Sequence, residues 1–179
     1  MGLFKKKKCE FCGEKIGAFN RGKRFKDGEL CNECSEELSP NWHDTVKHDL
    51  SEAVQHIEER KKNIEILKNE FSPDSHFGFR PTIFIDNERK LFCITLGGAR
   101  ESYGDVPRYI NENCDLFSFS QLEDTMISSS DNGIHTLTVL IRNHPFATKL
   151  VFRDRIASNY EDMLVVDSEL RRISYMNKE

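Results

Sequence analysis

No stretch of this 179-residue chain is apolar enough to cross a bilayer. The longest run without Asp, Glu, Lys or Arg is residues 132–141, far short of the ~18–20 apolar residues a membrane helix needs. No charge of one sign dominates either: 26 basic and 30 acidic side chains give a net charge of −4. That excludes a protein that coats nucleic acid with its whole surface. The amino-terminal order is wrong for a secretion signal. Leu3 and Phe4 come before Lys5, Lys6, Lys7 and Lys8, whereas a signal peptide puts its positive residues first. Lys6 stands where the myristoylation pattern asks for Ser or Thr. These features predict a cytoplasmic protein. Catalytic templates are missing as well: no nucleophile elbow, no helix-borne His-Glu-x-x-His and no phosphate loop. The leading expectation is a protein that is not an enzyme, the alternative being an active site in the loop at residues 97–113.

What is present suffices for folding. Hydrophobic residues make up 37%, including 13 Phe, and charged residues 31%. This balance points to small domains and an exposed helix, not to disorder. At ~150 residues per domain the length allows one large or two small domains.

Four of the six cysteines form two pairs, Cys9-x2-Cys12 and Cys31-x2-Cys34, with 18 residues between them. Two sulfurs two residues apart reach one metal through a tight turn, and two such pairs close a tetrahedron. Gly13 follows the first pair, where positive φ lets backbone amides turn towards sulfur. Residues 16–30 carry turn signals at Asn20-Arg21-Gly22 and Asp27-Gly28, which fits a short hairpin. After Cys34 the chain reads Ser35-Glu36-Glu37-Leu38, a helical turn starting at the metal. Knuckle, hairpin and helix describe a treble-clef or zinc-ribbon module over residues 1–40. The missing second Cys-Gly knuckle counts against a rubredoxin-type iron site. One structural Zn2+ on Cys9, Cys12, Cys31 and Cys34 is expected, with no open position for catalytic water. Cys93 and Cys114 stand apart and read as inert buried thiols.

The run Cys9-Glu10-Phe11-Cys12-Gly13-Glu14-Lys15-Ile16-Gly17, then Lys26-Asp27-Gly28-Glu29-Leu30-Cys31-x2-Cys34, resembles an uncharacterised bacterial zinc-ribbon family, filed as a domain of unknown function. Leu38-Ser39 and the polar helix after it fit the same pattern. The resemblance covers the first third of the chain, from Cys9 to about Ile57. It implies zinc binding through the four cysteines and no particular activity.

Residues 41–72 read as a connecting helix. Ser39-Pro40-Asn41-Trp42-His43-Asp44 carries start signals and Ser72-Pro73 ends it. Val46, Leu50, Ala53, Ile57, Arg60, Ile64, Leu67 and Phe71 make one stripe, interrupted at Arg60. The stripe is expected to pack on the zinc module at one end and on the C-terminal domain at the other. The competing reading is a homodimeric coiled coil through residues 44–71. His48, flanked by Asp44 and Glu52, reads as part of a solvated polar face.

From Pro81 the texture changes to strands. Residues 82–86, 90–96, 115–121, 123–129, 135–141 and 148–153 read as extended, with turns at 87–89 and 130–133. Ser158-x-x-Glu161 reads as a capping box before a last helix that carries Met163, Val166, Leu170 and Ile173. The order predicts an α+β chain whose residues 73–179 form an antiparallel sheet domain with a C-terminal helix. That order resembles pleckstrin-homology-like domains in architecture only. The insert at residues 97–113 holds Arg100 and Arg108, candidate contacts for a phosphate or carboxylate.

Three binding readings follow. The leading one is a zinc-stabilised adaptor contacting a protein partner. The second is nucleic-acid binding through Lys5, Lys6, Lys7, Lys8, Arg21, Lys23, Arg24 and Lys26, with Phe11, Phe19 and Phe25 as stacking surfaces. The third is contact with an anionic membrane surface through the apolar tip and basic residues of the N-terminus.

Overall fold

The computed structural model describes residues 7–39, 42, 44–95, 114–144 and 147–177. Lys5, Lys6, Arg100, Arg108 and the 97–113 insert lie outside the described residues. The chain divides into two compact units, Met1–Lys62 and Asn63–Glu179. The division falls inside the helix expected to connect two domains over residues 41–72. The reason is packing: Ala53 and Ile57 are buried in the first unit, while Leu67 and Phe71 join a core cluster of the second.

The first unit starts with a turn closed by a bridge between Lys8 and Lys15. A two-stranded antiparallel hairpin follows, β1 (Arg21–Arg24) with β2 (Glu29–Cys31). Arg21 and Gly22, read as part of a turn, belong to β1; the chain bends at residues 18–20 before it, and residues 25–28 make the hairpin reversal, the Phe25 amide donating to the Gly28 carbonyl (2.9 Å). A short helix α1 (Asn32–Glu36) begins directly at Cys31, its N-cap. Ile16, Phe25, Leu30, Leu38 and Trp42 form the small apolar core.

Helix α2 (Leu50–Asn69) starts later than its sequence suggests. Thr45–Lys47 forms a 3-10 turn instead, preceded by Asp44 in the left-handed region (φ 58°). Val46 consequently stands 60% exposed, off the stripe. Arg60 is no interruption. Its guanidinium is buried and donates from Nη1 to the carbonyls of Glu36 (3.2 Å) and Glu37 (2.8 Å). A charged donor thereby satisfies the orphan carbonyls at the end of α1.

The second unit contains a four-stranded antiparallel meander: β3 (Ser75–Phe77), β4 (Thr82–Asp86), β5 (Leu91–Thr95) and β6 (Leu116–Ser118). Strand β3 has no counterpart in the sequence reading, being short and polar. Residues 119–121, read as extended, form a 3-10 turn. Every residue of β4 is buried, because the sheet is covered on both faces. Phe84, Cys93 and Leu116 share one row of the register and pack with Leu67 and Phe71. Ile85, Phe92 and Phe117 share the adjacent row on the opposite face.

A three-stranded antiparallel meander follows: β7 (Leu122–Ser129), β8 (His135–Ile141) and β9 (Lys149–Asp154). Its buried side chains alternate along β8 as Leu137, Val139 and Ile141. The last helix, α3 (Ala157–Met176), packs against β7 and β8 and also against β3 and β4. Met163, Val166, Leu170 and Ile173 are its buried face, each worth about 1.5–3 kcal/mol relative to exposure. Ser158 lies inside this helix and is not its cap. The N-cap is Ile156, without a side-chain cap; Asp154 braces the start of the helix, accepting from Asn159 Nδ2 (2.7 Å) and from the Ile156 amide (3.0 Å). These bonds hold its carboxyl below the ordinary carboxylate range, so this support persists at neutral pH and is lost as acid protonates it.

One contact could not be read from local sequence. Asn63 on α2 donates from Nδ2 to the Leu116 carbonyl and accepts at Oδ1 from the Leu116 amide, each at 2.9 Å. The side chain stands in for a neighbouring strand on β6. Asn63→Ala leaves both backbone groups without that partner and should cost about 1–3 kcal/mol, measured by urea unfolding. A loss below about 0.5 kcal/mol, the scale of an ordinary surface change, would contradict this role.

Candidate metal centre

The knuckle is built by backbone bonds. The Cys9 amide donates to the Glu14 carbonyl (2.7 Å), and the Gly13 amide donates to the Cys9 carbonyl (2.8 Å). Gly13 sits at φ +76°, a conformation that strains any residue with a side chain at Cβ. On the other side, β2 delivers Cys31 and the first turn of α1 delivers Cys34. The Cys34 amide donates to Cys31 Sγ at 3.4 Å, so Cys31 caps the helix with a would-be metal ligand.

All four sulfurs lie within 4.8 Å of one another, and none is in a disulfide. Sγ of Cys12 and Sγ of Cys31 are 3.7 Å apart. A tetrahedron with metal–sulfur bonds of ~2.3 Å separates its sulfurs by ~3.8 Å, so the spacing fits one ion. Cys9, Cys31 and Cys34 are buried while Cys12 is exposed.

The cysteines differ in acidity. Burial acts to raise Cys9, but backbone amides aimed at its sulfur outweigh it and bring the thiol to about 7. Burial and the neighbouring sulfurs push Cys34 well up. Cys93 is raised by complete burial and stays an unreactive thiol.

The Lys26-Asp27-Gly28 string has a structural purpose. The Lys26 amide donates to the His48 carbonyl (2.9 Å), and its ammonium sits 3.4 Å from Asp49. Asp27 Oδ1 accepts from the Leu50 amide (2.8 Å), capping α2 from 23 residues away. A Cβ on Gly28 would lie 2.1 Å from a Leu50 methyl, so glycine admits the helix.

The expected basic track is broken up. Lys7 and Arg21 both pair with buried Glu29, at 3.3 and 2.8 Å. Lys26 pairs with Asp49. Lys23 is half-buried, reaches the Trp42 carbonyl (3.4 Å), and is lowered by burial and by Arg60 nearby. Lys8 and Arg24 remain exposed. Phe25 is buried against Trp42, their rings 5.6 Å apart, and cannot stack a base. His48 meets Glu52 (3.2 Å), whereas Asp44 pairs with Lys47, so the three do not converge. Among the described residues the four cysteines are the only cluster of this kind.

Residues 2–60 match a known family. Its description is Domain of unknown function (DUF4428). No curated protein and no solved structure matches the chain. The DUF4428 segment contains all four cysteines, the Lys26-Asp27-Gly28 latch and Arg60. Together with the sulfur cluster it describes an uncharacterised, zinc-ribbon-like module. Among the described residues no helix is long and apolar enough to cross a membrane.

Proposed function

We propose that this is a non-catalytic adaptor protein, with a treble-clef zinc module at its N-terminus and a pleckstrin-homology-like unit at its C-terminus that contacts a protein partner. The observation that carries the reading is the closed set of four cysteine sulfurs. Four thiolates complete zinc's preferred shell, which suits a structural ion and leaves no coordination position for substrate or water. The knuckle, hairpin and short helix support the treble clef. Meanders of four and three antiparallel strands followed by a helix support the second assignment. A scaffold of this kind recognises through its surface, and the metal acts by shaping that surface.

The test is elemental analysis of protein purified without added metal. One zinc per chain is expected, and none in the variant with Cys9, Cys12, Cys31 and Cys34 all changed to Ser. Visible absorption from iron, or metal retained by the quadruple variant, would overturn the assignment. Crosslinking at native expression level should recover the chain in a defined complex with another protein.

A further inference from the structure

Phe19 is the most exposed large apolar side chain among the described residues, with its ring entirely in solvent (104%). Its loop is not loose. The Gly17 amide donates to Asn20 Oδ1 (2.6 Å), Asn20 Nδ2 donates to the Lys15 carbonyl (2.9 Å), and the Asn32 amide donates to the Asn20 carbonyl (2.9 Å). Buried Ile16 anchors the segment that enters the loop. The ring is therefore displayed by an ordered turn. Phe11, at the tip of the cysteine knuckle, is 41% exposed. Lys8 and Lys15 face one another at the base of that knuckle, and neither ammonium has a partner among the described residues. Glu10 and Glu14 are the only carboxylates in residues 1–26, which hold nine basic side chains.

Three occupants can be weighed against this arrangement. Single-stranded nucleic acid asks for successive aromatic platforms along a track of cations. Here Phe25 is inside, and Lys7, Arg21 and Lys26 are committed to carboxylates. A protein pocket for one ring gives no reason for the exposed lysines at the base of the knuckle. An anionic bilayer uses both features at once: an apolar tip enters the interface while cations meet the headgroups. We infer that the N-terminal unit docks on anionic lipid surfaces, with Phe19 as the inserting side chain and Lys8 and Lys15 facing the headgroups. Such an anchor is weak and reversible, as suits one ring and a few cations.

Co-sedimentation of the full-length, metal-loaded protein with vesicles tests this. Binding is expected to vesicles of phosphatidylcholine with phosphatidylserine, to weaken as salt rises, and to be absent for phosphatidylcholine alone. Phe19→Asp should lower partitioning by about tenfold or more, because it removes the ring and adds a repelled charge. Phe19→Trp should keep binding, and brominated lipid should quench its emission above the background of buried Trp42. Three results would each overturn the proposal: no partitioning, partitioning unaffected by Phe19→Asp, or Phe19-dependent binding to a single-stranded oligonucleotide in preference to vesicles. Metal content measured on each variant separates this from the proposed function. A failed vesicle assay with one metal per chain leaves the closed centre standing.

Discussion

Stripping the metal with a strong chelator is expected to unfold residues 7–39 while both sheets of the second unit stay folded. Besides its cysteines, the segment itself buries only four apolar side chains, Ile16, Phe25, Leu30 and Leu38. Chains below ~40 residues seldom hide enough apolar surface to offset chain entropy without a staple. Structural zinc contributes an apparent ~10–16 kcal/mol that is coupled to folding, more than such a core can supply. Cys31→Ala should be among the most damaging single changes. It removes a ligand and also the acceptor that receives the Cys34 amide at the start of α1. The consequence should reach into α2, because Asp27 caps Leu50 and Arg60 binds the end of α1. Hydrogen exchange is the measurement. The amides of Leu30 and Cys34 should lose protection in chelator, while those of β4 and β8 keep theirs. Equal protection of Leu30 with and without metal would show that ion and fold are not coupled. Acid should act in the same direction, since Cys34, held high by burial and its neighbours, must give up a proton for the ion to bind.

Phe92→Ala is expected to cost about 3–5 kcal/mol, all of it in the second unit. Phe92 is completely buried in β5, with ring centres 5.5 Å from Phe117 and 6.4 Å from Phe119. It is covered on every side, so removing the ring leaves a cavity that close-packed neighbours fill only in part. Against a typical domain stability of about 5–15 kcal/mol this is a large fraction. The melting temperature of that unit should fall by roughly 10 °C or more. Metal content should be unchanged, because the residue belongs to the unit without the cysteine cluster. Calorimetry with parallel metal analysis checks both statements. An exposed control on the neighbouring sheet, Met126→Ala, should stay within about 0.5 kcal/mol.

What was legible in the sequence was what short-range spacing encodes. Two sulfurs two residues apart and a glycine beside them specify a knuckle whatever surrounds them. Alternation and turn residues place β4, β8 and β9 within a residue or two of their observed ends. The 3–4 spacing of Met163, Val166, Leu170 and Ile173 identifies the buried face of α3.

Tertiary structure decided whatever depended on partners distant in the chain. Ser158 had the local pattern of a cap, yet it lies inside α3, and Asp154 at the end of β9 braces the start of the helix through the Ile156 amide and the Asn159 side chain. The start of α2 moved to Leu50, where Asp27 arrives from the hairpin. Arg60 looked like a flaw in an apolar stripe until the carbonyls of Glu36 and Glu37 were brought to it. Phe19 and Phe25 are the same residue six positions apart, and nothing local marks which faces out. Trp42 covers one, while the turn built on Asn20 holds the other in solvent. Covalent spacing thus chose the four cysteines that cluster, but burial depends on what the rest of the chain brings alongside, and that is a property of the fold.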